Sequence, residues 1–78
     1  MMPLSMAPPN KPVALRAIRG GRGLRQRLAD LGLTPGVTLQ VVQSGTGGPL
    51  ILAFKEDARL AIGRGMAHKI LVEIVQKG

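Results

Sequence analysis

The sequence predicts a mostly β domain: five short strands in a small, strongly bent antiparallel sheet, partly closed into a barrel, with one short α-helix inserted after the first strand. Three observations predict it. Apolar residues alternate with polar or small ones in short runs over the second half of the chain, which is the period of a half-buried strand. A single stretch, Leu24, Leu28 and Leu31, has the i, i+4, i+7 spacing of one helix face. The 78 residues contain no cysteine, so neither a disulfide nor a thiolate metal site staples the chain. A domain this small must then bury the helix face and the strand faces against one another, and a partly closed barrel does so with few residues.

The elements follow in order. Residues 1–12 carry four prolines and little periodicity, so they are expected to run as an extended N-terminal arm, with the barrel domain over 13–78. "VALRAI" (Val13 to Ile18) is the first strand, closed by Gly20-Gly21. The helix begins at Arg22 and stops at Gly32, a glycine placed just past the last apolar residue as a left-handed cap. In a Schellman ending, Leu33 folds back onto Leu28 and the last carbonyls find donors. Pro35-Gly36 suits the centre of a type II turn, since proline presets φ and glycine accepts a positive φ. The stretch "LGLTPG" is therefore backbone punctuation that ends a helix and aims the second strand.

Beyond it, Val37, Leu39 and Val41 share one strand face, Leu50, Leu52 and Phe54 a second, and Leu60 and Ile62 a third. "SGTGGP" (Ser44 to Pro49) reads as a flexible loop and "KEDA" as a hairpin turn. "GRGMAH" reads as a short turn or single helical coil, with Met66 in or over the core. "KILVEIV" is the last strand, with Ile70, Val72 and Ile74 facing inward. The longest apolar runs, "PLILAF" and "ILVEIV", are far short of the ~20 residues that span a bilayer. "MMPLSMAPPNKP" lacks the basic-then-apolar order of a signal peptide, so an intracellular soluble protein is expected.

A net charge of +7 predicts attraction to something acidic. Phe54 is the only aromatic residue, which weighs against single-stranded nucleic acid and against a proline-rich peptide groove, both of which use several aromatic side chains. Catalysis has little to stand on: Asp30, Glu56, Asp57 and Glu73 are the only acids and His68 the only histidine. His68 sits among Arg64 and Lys69, where cations are repelled, so no intrinsic metal site and no cofactor is expected. A solvated histidine outweighs a ligand shared with a neighbouring molecule. A phosphate cradle needs glycines and a lysine at a strand-to-helix junction, whereas "LGLTPG" lies at a helix-to-strand junction; "RGGRG" precedes the helix but reads first as a strand-ending turn.

The arginines say more. Arg16, Arg19, Arg22, Arg25 and Arg27 cluster about the end of the first strand and the start of the helix, where cations oppose the macrodipole. Asp30 relieves Arg27 at i, i+3 only in part. Such placement costs stability and points to an acidic partner, against the plainer reading of a solvated helix face.

With these elements placed, "RLADLGLTPGVTLQVV", "RLAI" and "AHKILVEI" carry a resemblance to the FeoA family (ferrous iron transport protein A), in order and spacing, from Leu4 to Glu73. The motif residues are Leu28, Leu31, Gly32, Leu33, Pro35 and Gly36. Asn10 stands where the family has glycine, and asparagine takes the same left-handed conformation. Val13 replaces a small residue, and "GRG" at Gly63 to Gly65 replaces a more charged segment. The resemblance implies an SH3-like barrel without enzymatic activity or cofactor, acting in the cytoplasm as an accessory to the membrane ferrous-iron transporter FeoB through its GTP-binding domain. For the contact surface, charge placement favours Arg19, Arg22 and Arg25, the edge near Arg64, and a pocket around Leu33. Competing readings are a basic barrel that binds a nucleic-acid duplex, and a relative of the barrel domain of iron-dependent repressors, for whose helix-turn-helix the 78 residues leave no room. Exposed strand edges permit a homodimer.

Overall fold

The computed structural model describes residues 1–43, 47–55 and 58–75. Strand β1 (Met2–Pro3) runs into a 3-10 turn (Leu4–Met6), followed by β2 (Val13–Ile18) and α1 (Arg22–Asp30). Then come β3 (Thr38–Gln43), β4 (Leu50–Phe54), β5 (Ala58–Ile62), α2 (Arg64–Ala67) and β6 (Ile70–Ile74). One sheet contains all six strands in the order β1-β6-β2-β3-β4-β5, every neighbouring pair antiparallel.

The sixth strand comes from the segment expected to be an extended arm. Met2 pairs with Val72 and Pro3 with Leu71, and Leu4 and Ala7 are buried in the core. Proline lacks an N–H and is tolerated on an edge strand, which is where Pro3 lies. A two-residue strand has no period to read, so only its long-range register reveals it. Asn10 takes φ 64°, as its left-handed reading required, and its N–H donates to the Val41 carbonyl at 2.7 Å.

Strand alternation fills the core. Val13, Leu15, Leu39, Val41, Leu50, Leu52, Phe54, Ile62, Ile70 and Val72 form one cluster with Leu28 of the helix and with Leu33. Val37, Leu60 and Met66 pack on its margin. Two irregularities bend the sheet, one between Val41 and Gln43 and one between Leu15 and Ala17, where Arg16 is the extra residue opposite β6.

The helix ends as the Schellman pattern requires. The Leu33 N–H donates to the Leu28 carbonyl at 2.8 Å and the Gly32 N–H to Ala29 at 2.9 Å. Gly32 has φ 95°, and a Cβ there would lie 3.2 Å from the Phe54 ring, so both conformation and space call for glycine. The type II turn follows: Gly36 has φ 97° and the Val37 N–H donates to Thr34 at 3.1 Å. This turn is bonded to β2, the Leu15 N–H donating to Val37 and the Gly36 N–H to Leu15.

Two expected core positions are exposed. Leu31 is the C-cap, one residue past α1, and is 43% exposed, because the chain reverses at Gly32 and delivers Leu33 inward in its place. Ile74 is 41% exposed: it pairs with Val13 at the end of β6 and borders an open depression beside Met1 and Met2. The "GRGMAH" coil is the four-residue α2. Of the loops expected at Ser44 to Pro49 and at "KEDA", residues 44–46 and 56–57 lie outside the described residues.

Candidate docking groove

Strand β2, helix α1 and the Thr34–Pro35 turn enclose an open groove of about 510 Å³. Its apolar lining is Ile18, Ala29, Leu33 and Pro35; its polar rim is Arg16, Arg22, Arg25 and Gln26. Helical spacing explains the rim, since positions 22, 25, 26 and 29 share one face of α1 while Leu24 and Leu28 turn to the core. The cap explains the floor, because the Schellman reversal carries Leu33 beneath the helix and back toward the sheet.

Among the described residues no acid lines the groove. Arg25 reaches back toward the Gly20 carbonyl, with Nη2 at 3.3 Å and Nε at 3.4 Å, long contacts that drape it over the end of β2. Arg16 donates from Nε to Glu73 Oε2 at 3.0 Å across the β2–β6 pair. Gln26 Nε2 donates to Asp30 Oδ1 at 3.0 Å, so Asp30 serves the residue one turn before it instead of Arg27. At the N-terminus of α1, Gly21 supplies no side-chain cap and the first turn contains no acid.

The structure brings Arg22, Arg25 and Leu33 together, as the placement of charge suggested. It does not bring Arg19 or Arg64 to the groove. The Arg19 N–H donates to the Lys69 carbonyl at 2.7 Å, which ties that residue to the start of β6. Arg64 opens α2, a separate element packed against the N-terminal 3-10 turn. Sequence reading missed Arg16 as a lining residue, although it stands in the same basic cluster. Alternation with Val13 and Leu15 turns it outward, but that this part of β2 borders the groove depends on how α1 and the Thr34–Pro35 turn pack against it.

Other surfaces are distinct. Arg16 also borders a second open depression, of about 710 Å³, with Met1, Met2, Val72, Glu73 and Ile74, so the Arg16–Glu73 pair stands between two concavities. On the outer side of β3 to β5, Lys55 and Arg59 border a small dip, with Lys55 Nζ 5.9 Å from the Phe54 ring centroid. His68 is exposed, its Nδ1 3.5 Å from Ser5 Oγ. Among the described residues no three His, Asp or Glu side chains gather as metal ligands would.

The model of the FeoA domain family matches residues 2–74, a range that takes in every strand from β1 to β6. The chain belongs to the FeoA family. A relative from Methanocaldococcus jannaschii, called a putative Fe(2+) transport protein A, is 38% identical over 78 residues, covering 100% of this chain and 93% of its own. A crystal structure of an iron uptake regulatory protein, FeoA, superposes with a TM-score of 0.83 at 38% identity, covering 95% of this chain and 96% of that one. The zinc-complexed FeoA of Stenotrophomonas maltophilia, described as an SH3 domain protein, has a TM-score of 0.78 at 23% identity, covering 94% and 91%. That last likeness concerns the fold, and the barrel is SH3-like.

Proposed function

We propose that this FeoA-family protein is a small accessory of ferrous iron uptake that works in the cytoplasm by docking on the GTP-binding domain of the membrane transporter FeoB. Membership of the family and a 38% identical relative named as an Fe(2+) transport protein support the link to iron transport. The observation that carries docking is the groove, where Arg22 and Arg25 stand over an apolar floor of Ile18, Ala29 and Pro35 backed by the buried Leu33, with no acid among the described lining residues. Such a surface steers an acidic partner by charge and holds it by apolar contact. Among the described residues no helix is long and apolar enough to cross a membrane, and the accessory role needs none.

Calorimetric titration with the cytosolic GTP-binding domain of the cognate transporter tests this, at physiological salt, with and without nucleotide, and with duplex DNA as control titrant. Saturable binding to the domain is expected, weakened about tenfold or more when Arg22 and Arg25 are both replaced by Glu. Heat with DNA and none with the domain would reassign the basic surface to nucleic acid, whose signature is a steep loss of affinity with log salt.

A further inference from the structure

Two features of the groove have separate causes and converge on one kind of occupant. The floor is apolar, and three arginines rim it without a lining acid. A purely apolar ligand would leave the charges unanswered, and a bare polyanion would leave the floor wet. Arg16 adds a third feature. It lies beside the β2 bulge on the outer face of the strand, the side that Ala14 shares and that faces Glu73 of β6. Its side chain meets Glu73 through a single nitrogen, and the two side chains are 51% and 53% exposed. Nε is engaged, and the two amino groups of the guanidinium fork keep the geometry that grips a carboxylate from two sides. An exposed one-point pair of this kind is held weakly and exchanges readily.

We propose that the groove takes an acidic segment of a partner protein that carries an apolar side chain, and that Glu73 stands in for one of the partner's carboxylates while the groove is empty. The apolar side chain lies on Ile18, Ala29 and Pro35, above the buried Leu33, and the carboxylates meet Arg22, Arg25 and Arg16. Glu73 competes for the last of these, so it lowers affinity for acidic segments and sharpens the choice between them. The proposal rests on the docking reading above and specifies the chemistry that the docked segment must have.

The test uses the whole protein and a synthetic twelve-residue peptide alternating acidic residues with leucine. One control peptide has amides in place of the acids, and another has alanine in place of leucine. Amide shifts on the isotope-labelled protein are expected at Arg22, Arg25 and Ala29, and both control peptides should bind about tenfold more weakly or worse. E73Q should tighten binding of the acidic peptide about two- to fivefold, the range an exposed ion pair supports. The same substitution made on R16Q should give no gain, which separates release of Arg16 from a general rise in positive charge. Shifts confined to other surfaces, equal binding of the amide peptide, or a gain that persists in the R16Q protein would each overturn the proposal. Titrating E73Q and R16Q with the GTP-binding domain tells the two readings apart. A domain that never binds, beside a peptide that behaves as expected, removes the transporter partner and leaves the groove chemistry standing. A domain that binds both variants like the parent protein removes the groove chemistry and leaves the transporter partner.

Discussion

The two ends of α1 are built on opposite terms. At the C-terminal end every residue from Leu31 to Val37 has a backbone assignment: the Schellman bonds to Leu28 and Ala29, glycines at φ 95° and 97°, and a turn bonded to β2. At the N-terminal end Gly21 caps with no side chain, no acid answers the dipole, and Arg22 and Arg25 lean against it. Placing cations there costs about 0.3–1 kcal/mol each at an exposed site, where an acid would instead stabilise. The first end serves the fold. The second gives up stability, and the groove it borders is where that charge has a use.

The largest effect that sharpens the contrast belongs to the end that serves the fold. Leu33→Ala removes a fully buried side chain and should cost about 2–5 kcal/mol. In a domain of this size each kcal/mol lowers Tm by about 4–8 °C, so thermal unfolding should shift by at least about 8 °C. Gly32→Ala comes next, because alanine must adopt the left-handed φ and push against Phe54 at 3.2 Å. The conformation alone costs about 1–2 kcal/mol. A Tm within about 2 °C of the parent would show that the cap relaxes freely, and the contrast between the ends would weaken. Neither substitution changes the charge of the groove.

Arg22→Glu acts at the other end and should separate the two properties. Placing an acid in the first turn should raise stability by about 0.3–1 kcal/mol, while affinity for the GTP-binding domain falls several-fold. Denaturant unfolding and calorimetry on the same preparation measure both. Stability and binding falling together would mean that Arg22 is structural after all.

The same asymmetry explains what could be read in advance. "LGLTPG" was legible because each residue obeys one local rule: a glycine after an apolar turn, a proline before a glycine. The helix face and the alternation of β3 and β4 were legible for the same reason. Strand β1 and the Arg16 bulge were not, since each exists only through register with β6, more than fifty residues away along the chain. Leu31 and Ile74 fit their periods but stand where an element ends and cover runs out. In the groove, Arg22, Arg25 and Leu33 could be grouped because one helix and its cap bring them together. Arg19 and Arg64 were grouped with them by charge alone, and charge along a sequence does not say which side of a barrel a residue occupies.

The smallest expected effect is also the most discriminating. Gly21 has φ −75° and ψ 177°, extended backbone that any residue adopts, and a Cβ there would meet nothing within 4 Å. Both Gly21→Ser and Gly21→Asp should therefore place a side-chain acceptor on the free N–H groups of the first turn and raise stability by about 0.3 kcal/mol, about 1–2 °C in Tm. They differ in charge. Serine leaves the field of Arg22 and Arg25 intact, so affinity for an acidic partner should not change. Aspartate adds a carboxylate in front of the helix end beside those arginines, so affinity should fall by a small factor that shrinks as salt is raised. Equal affinity for the two variants would mean that the arginines at this end do not steer the partner, and their position against the dipole would then need another cause.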